Sequence, residues 1–233
     1  TQMAAEVLGV TEDKVYIVST QDTDVTPFDT GAYASRQTYV SGKAVKKTAE
    51  MMKEKILEYA AWKLKMDQQT LDIRNNMIVT AEGEELLTME ALATEALYSL
   101  ERSVHITAEA TSHCKENTFA SGACFAEVEV DMPLGKVNVL KIINVHDSGI
   151  LMNPKLAEAQ VHGGMSMGLG YGLSEELMYD AKGKPLNNNL LDYKLPTAMD
   201  TPELNVEFIE LQDPTGPFGN KALGEPPAIP VAP

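Results

Sequence analysis

Two runs of alternating residues, separated by a short turn, constrain the fold of this chain more than any other feature. Residues 126–130 alternate strictly between apolar and acidic side chains, and residues 137–145, which are mostly apolar, follow the turn 131–136. Such alternation is typical of a strand with one buried face, and a short turn between two strands favours antiparallel pairing. The sequence therefore predicts an antiparallel hairpin with one face packed on a core.

Helical periodicity marks four other segments of the chain. The first is residues 1–9, where Gly9 ends the predicted helix, and the second is the long amphipathic pattern of residues 40–60. The third is residues 88–100, with Thr88 as its N-cap, and the fourth starts at Lys155. Apolar residues spaced three and four apart lie on one face of a helix. We therefore expect a long helix of some twenty residues and three shorter ones.

Short segments that alternate in polarity, or that are rich in β-branched and aromatic residues, predict further strands. They cover residues 14–18, 71–74, 77–80 and 204–210, and the middle two are joined by Asn75 and Asn76 as a hairpin. With the helices above, these strands predict an α+β fold class, in which long helices pack on mixed or antiparallel sheets.

The composition excludes several classes of protein. At 233 residues, with 44% hydrophobic and 23% charged residues, the chain can form one large domain or two modest ones. A net charge of −15 argues against a nucleic-acid surface, and no apolar run reaches the length of a membrane span. Cys114 and Cys124 have no redox or metal spacing, which favours a reducing cytoplasm. The four histidines show no ligand spacing either, so we expect no metal ligand in this chain.

A carboxylate near the end of the chain lies between a glycine and two prolines. Gly224 permits unusual backbone angles, and Pro226 directs Glu225 into an extended conformation. A carboxylate on such a stiff loop suits a general base, which must stay within hydrogen-bond reach of its proton. The residue types alone favour the alternative, a surface turn whose glutamate is solvated.

A polar stretch of about fifteen residues precedes the long helix. Residues 20–36 read as a loop, and loops of that length in compact domains are usually functional. Residues 31–41 place small and hydroxyl side chains at the helix entrance, where free N–H groups and the helix dipole favour an anion. The alternative is an ordinary N-cap at Ser35 or Thr38.

The predicted helix from Lys155 combines an amide with many glycines. Gln160 has apolar neighbours on its face, which predicts that it is buried and hydrogen-bonded. The glycines that follow do not have phosphate-loop spacing, and we expect that they let another backbone approach closely.

Four segments, taken in order, resemble the molybdenum hydroxylases of the xanthine oxidase family. They are residues 29–36 with 42–44, residues 160–164 with 168–171, residues 192–197, and residues 221–227. The resemblance covers almost the whole chain and lies in the second half of the molybdenum-cofactor-binding subunit. It implies a domain of xanthine oxidase type spanning residues 1–233, in one lobe or two subdomains, as a piece of a longer polypeptide.

The resemblance implies a role for each matching site residue. Glu225 would be the catalytic glutamate beside the molybdenum, acting as general base in a dry site that raises its basicity. Ala34, Ser35, Arg36 and Gln37 would hold the pterin–phosphate region of molybdopterin. Gln160 would reach toward the cofactor and a molybdenum oxygen.

The resemblance also implies partners and leaves the substrate open. Iron–sulfur clusters and FAD would sit on other domains or subunits, and the substrate-orienting residues would belong to the first half of the subunit, so the isolated piece is expected to be inactive. Purine hydroxylation is the commonest activity of close relatives, while nicotinate hydroxylation, carbon monoxide oxidation and hydroxybenzoyl-CoA reduction use similar subunits. A different class, a non-catalytic assembly module with this fold, is the alternative.

Overall fold

The computed structural model describes residues 1–18, 22–24, 26 and 28–229. The chain divides into two compact units. The first unit contains Thr1–Gly31 and Val40–Lys115, and the second contains Ala32–Tyr39 and the chain from Glu116 onward. The second unit is therefore assembled from two segments that lie far apart in the sequence.

The first unit contains three helices and a small sheet. The helices are α1 (Gln2–Leu8), α2 (Gly42–Leu64) and α3 (Met89–Tyr98), and the strands are β1 (Leu71–Arg74), β2 (Met77–Thr80) and β3 (Glu85–Thr88). The strands pair antiparallel in the order β1-β2-β3. The predicted hairpin is confirmed, and Asn75 and Asn76 both adopt the positive φ that its tight turn requires. Strand β3 was not predicted.

The core of the first unit is apolar and continuous. Ile56, Tyr59 and Ala60 of α2 pack with residues of the sheet and of α3, including Ile73 and Leu92. Thr88 caps α3 as predicted, since its hydroxyl accepts a hydrogen bond from the Ala91 N–H. The helical periodicity of residues 40–60 thus correctly identified the buried face of α2.

The second unit contains a mixed sheet covered by one helix. The elements are β4 (Ser121–Asp131), β5 (Lys136–Asp147), α4 (Pro154–Leu173) and β6 (Glu203–Phe208). Strands β4 and β5 form the predicted antiparallel hairpin, while β6 runs parallel to β5 along its other edge. Ile142 of β5 packs against Val161, Met165 and Leu169 of α4, which form the core of this unit. The expected α+β class with a mixed sheet is confirmed.

Two local predictions are wrong. Residues 15–18 form no strand, since a short 3-10 turn at Glu12–Lys14 is followed by irregular chain. Neither Ser35 nor Thr38 caps α2, because a π-helical turn at Gln37–Ser41 leads into it and Ser41 occupies the N-cap position. Of the predicted loop 20–36, residues 20, 21, 25 and 27 lie outside the described residues.

Among the helices that the structure describes, none has both the length and the hydropathy needed to cross a membrane.

Candidate active site

The Glu225 loop is seated by apolar contacts on either side of the carboxylate. Leu223 packs against the core of the second unit, and Pro227 is fully buried. A Cβ on Gly164 of α4 would lie only 3.0 Å from the Cβ of Pro227, so the absence of a side chain at Gly164 makes room for this loop. The prediction that a glycine of this helix allows another segment to approach closely is confirmed.

Glu225 meets the Ser35 bend and Gln160 around Gly224. The Glu225 N–H donates a hydrogen bond of 2.9 Å to Ser35 Oγ. A Cβ built on Gly224 would lie 2.9 Å from Ser35 Oγ and 3.6 Å from Gln160 Nε2. Three groups that are widely separated in the sequence, all within the second unit, therefore share one small region.

The bend at Ala34 and Ser35 has an unusual backbone. Both residues are left-handed, with φ of 50° and 54°, and the Arg36 N–H closes the turn on Tyr33 O at 3.1 Å. Left-handed backbone costs a residue with a Cβ roughly 1–2 kcal/mol, and such strain is concentrated at functional sites. Successive residues in turn conformations can present their N–H groups as a concavity for an anion.

The backbone N–H groups of Ala34 and Ser35 are available to an anion. Within the described part of the chain, the N–H groups of Ala34 and Ser35 donate no hydrogen bond. Two backbone N–H groups beside an exposed surface can donate hydrogen bonds to the oxygens of a bound anion. The bend lies one π-helical turn before α2 begins, near the helix entrance where the sequence predicts an anion site.

The two remaining residues of the bend extend the same surface. The Arg36 guanidinium carbon lies 5.2 Å from the centre of the Tyr33 ring, within the range of a cation–π contact. Gln37 is exposed and begins the π-helical turn. A cation and an amide next to the two N–H groups are compatible with holding a phosphate.

A buried tyrosine ties the bend to the loop that precedes Glu225. Tyr39 is 4% exposed, and its hydroxyl hydrogen-bonds to the Thr215 hydroxyl. Asp213 accepts hydrogen bonds from Thr215 Oγ1, from Thr118 Oγ1 at 2.7 Å, and from two backbone N–H groups. The bond from Thr215, with the others, lowers the pKa of Asp213 to about 2 although burial opposes it. Sequence reasoning missed this cluster of hydrogen bonds. Its only local signal in the sequence is the short Asp-Pro-Thr-Gly turn at residues 213–216.

A second carboxylate lies at the end of β5. Lys221 Nζ lies 2.6 Å from Asp147 Oδ2, and the two side chains are 12% and 9% exposed. Burial opposes the ionisation of Asp147, but hydrogen bonds from Lys221 and from the Gly149 and Leu211 N–H groups outweigh it and lower its pKa. Sequence reasoning also missed this ion pair, because its partners are 74 residues apart.

Several buried polar atoms near this end of β5 have no hydrogen-bond partner among the described residues. They are Asn144 Oδ1, His146 Nε2, Ser148 Oγ and Asn220 Oδ1, with His162 Nε2 on α4. Burial lowers the pKa of His146, partly offset by the charge of Asp147. Buried polar atoms normally pair with protein, water or a ligand, so this part of the second unit has capacity for further polar partners.

Two expectations about the site differ from the structure. Gln160, predicted to be buried, is exposed on α4, because the helix turns this position away from the face that packs on the sheet. Glu225 is exposed as well, so the described residues do not supply the expected dry surroundings. Among those residues, no group of three or more His, Cys, Asp or Glu side chains could hold a metal ion.

Comparison with known proteins gives a consistent result. The family model described as a molybdopterin cofactor-binding domain matches residues 1–202. A xanthine dehydrogenase molybdenum-binding subunit of Escherichia coli is 48% identical over 100% of this chain, which covers 31% of that protein. The carbon monoxide dehydrogenase large chain of Hydrogenophaga pseudoflava is 29% identical over 98% of this chain and 29% of its own length.

A solved structure has the same fold. The quinoline 2-oxidoreductase of Pseudomonas putida 86 superposes with a TM-score of 0.85 at 28% identity, covering 99% of this chain and 30% of that one. This chain therefore spans about a third of the length of the relatives that it matches. The resemblance found in the four sequence segments is confirmed.

Proposed function

Since this chain belongs to the molybdopterin cofactor-binding domain family, we propose that it forms part of a molybdenum hydroxylase of the xanthine dehydrogenase type. The whole enzyme would hydroxylate an electron-poor carbon of a purine or another N-heterocycle. The higher identity to the xanthine dehydrogenase subunit, 48% against 29% for the carbon monoxide enzyme, supports a heterocyclic substrate.

The general base of this reaction would be Glu225. When bound, the molybdenum cofactor supplies the oxygen transferred to the substrate and accepts its electrons. Glu225 accepts the proton released in that step, and a base of this kind must be held within hydrogen-bond reach of the proton. The observation that carries the proposal is the meeting of Glu225, Ser35 and Gln160 around Gly224.

The bend would bind the cofactor rather than react. The N–H groups of Ala34 and Ser35, with the side chains of Arg36 and Gln37, would hold its pterin–phosphate region. Gln160 would reach toward the same group from α4. The left-handed backbone of the bend supports this assignment, because such strain persists only where the surrounding structure maintains it.

The remaining parts of the enzyme would lie outside this chain. Electrons would leave through iron–sulfur clusters and FAD on other domains or subunits, and the rest of the molybdenum subunit would complete the substrate pocket and exclude water from Glu225. We propose that residues 1–233 are the second half of the cofactor-binding domain, in a cytoplasmic enzyme.

The direct test is Glu225→Gln in the assembled enzyme. This change keeps the shape of the side chain and removes its basicity, so molybdenum content should remain near normal while turnover is almost abolished. Glu207→Gln on β6 is the matched control, since Glu207 is also exposed and its replacement should leave turnover unchanged. Substantial activity in Glu225→Gln would end the proposed role.

A non-catalytic assembly module is the alternative of a different class. Metal analysis and the visible spectrum of the intact complex distinguish the two, since a hydroxylase contains molybdenum together with its redox partners. A complex without molybdenum would favour the assembly role.

A further inference from the structure

The segment just before the Glu225 loop is fastened along the end of β5. The Ile150 N–H donates to Gly219 O at 3.0 Å, and the Lys221 N–H donates to Ser148 O at 2.6 Å. Gly149, with a φ of 66°, pairs with Asn220 in an isolated bridge. A Cβ on Gly149 would lie 2.2 Å from Gly219 O, so this close approach of two backbones requires glycine.

Charged side chains fasten the same segment a second time. Lys221 Nζ lies 2.6 Å from Asp147 Oδ2, and Asp147 Oδ1 accepts the Gly149 N–H at 2.9 Å. The pair is nearly buried, and burying two charges is costly unless the geometry and the additional hydrogen bonds are good. An apolar pair of similar size could stabilise the same contact at least as well, so we infer that the ion pair serves to fix one defined position of the segment.

This fastening lies close to Glu225 along the chain. Only three residues separate Lys221 from Glu225, which limits the distance between their Cα atoms to about 14 Å. Leu223 packs against the core between them, and the Glu225 N–H then donates to Ser35 Oγ. The loop is therefore held at Lys221, at Leu223 and at Ser35, and the first of these holds is the ion pair.

We propose that the buried Asp147–Lys221 pair is a positioning device that sets the loop so that Glu225 meets the Ser35 bend. The inference deepens the proposed function and rests on the role of Glu225 as the base. Lys221 is a positioning residue, because it acts through the loop and not on the substrate.

The test uses the full-length enzyme with its cofactor and compares two lysine variants. Lys221→Met removes the charge and leaves Asp147 buried without a counter-ion, while Lys221→Arg keeps the charge. Lys141→Met is the matched control in the same unit, since Lys141 Nζ lies 3.0 Å from Glu203 Oε1 in a pair that is 33% and 62% exposed. That pair holds no part of the Glu225 loop.

The first readout is hydrogen exchange of the peptide that contains residues 219–225. In Lys221→Met we expect exchange at least about tenfold faster there, with no change in β1 and β2, because only the local opening of the loop becomes easier. Lys221→Arg should restore most of the protection, and Lys141→Met should leave it unchanged. Unchanged exchange of this peptide in Lys221→Met would overturn the proposal.

The second readout is kinetic. Since a displaced base lowers the rate of the chemical step, kcat should fall by about 100-fold in Lys221→Met with KM nearly unchanged and molybdenum retained. If Lys221→Met does not fold, the double variant Asp147→Leu/Lys221→Met removes both charges and replaces them with apolar groups. A folded double variant with the loop protection and kcat of the wild type would overturn the proposal.

The two proposals fail in different ways. Retained turnover in Glu225→Gln would refute the role of Glu225 as the base, but the hydrogen-exchange test of Lys221 would still be valid. Unchanged loop exchange in Lys221→Met removes the positioning role while leaving the base in place.

Discussion

The variant Gly224→Ala tests whether the site requires the close contact of the Glu225 loop with Ser35 and Gln160. The added Cβ would lie 2.9 Å from Ser35 Oγ, closer than such atoms normally approach, and 3.5 Å from Ser35 Cβ, an ordinary contact distance. Because Ser35 Oγ belongs to a short side chain that also accepts the Glu225 N–H, it cannot move aside without weakening that bond. The change should therefore separate the loop from the bend.

The size of the effect follows from three contributions. Loss of the hydrogen bond costs about 1 kcal/mol, and overpacking costs a further 1–3 kcal/mol or so. Gly224 does not lie in the left-handed region, so alanine adds no backbone strain and recovers roughly 0.4–1 kcal/mol from the unfolded state. We expect a net loss in the free energy of unfolding of about 1–3.5 kcal/mol.

The effect on activity should be larger than the effect on stability. A shift of about 1 Å in a catalytic group can lower the rate about 100-fold, so kcat should fall strongly while the enzyme remains folded. Thermal unfolding, molybdenum content and kcat of the full-length enzyme are the measurements.

Two further variants complete the design. Gly163→Ala in α4 is the matched control, since a Cβ there meets no atom within 4 Å and should stabilise the helix by up to about 1 kcal/mol. Adding Ser35→Gly to Gly224→Ala removes the clashing oxygen and should recover part of the lost stability. If Gly224→Ala matched Gly163→Ala in molybdenum content and turnover, the close contact would have no role.

Two other variants test the packing and the electrostatics. Gly9→Ala should lower the free energy of unfolding by about 3 kcal/mol in chemical denaturation, because φ at Gly9 is 72° and the new Cβ would lie 1.9 Å from Ile73 O. The control Gly83→Ala, which has open space around it, should lower it by about 1 kcal/mol. Equal losses in the two variants would refute the clash at Gly9. Asp213 has a pKa of about 2 in the folded protein, against the usual 3.8. The ionised carboxylate therefore contributes about 2 kcal/mol to the free energy of unfolding. This contribution is present above pH 3.8 and is lost as the pH falls toward 2. Asp213→Asn should therefore unfold more easily by about 2 kcal/mol at pH 7, with the difference from the wild type vanishing near pH 2, and a difference independent of pH would contradict the assignment.

Periodic segments were predictable because their buried faces repeat along the chain. The hairpin of β4 and β5 and the buried face of α2 follow directly from alternation and from helical spacing. Residues 14–18 have the residue types of a strand, but Lys14 ends a 3-10 turn and residues 15–18 join no sheet in the described structure and remain irregular. Local propensity predicts a strand only where a partner strand is available.

The chemistry of the site was predictable only in part. The stiff loop around Glu225 follows from Gly224 and Pro226, and the resemblance pointed to Ser35 and Gln160. The ion pair of Asp147 with Lys221 joins residues 74 apart, so no local pattern marks it. Gln160 lies on a helix whose small residues carry little periodic signal, which explains why its exposure was misjudged.

The hydrogen bond between Ser35 and Glu225 has a consequence for synthesis of the protein. Its partners are separated by 190 residues, and at about 5–20 residues per second a ribosome needs roughly 10–40 s to make that length. Until then the left-handed residues at 34 and 35 have no Glu225 N–H to hold them. A nascent polypeptide that ends at residue 220 would already contain both units' strands and helices but would lack this last fastening.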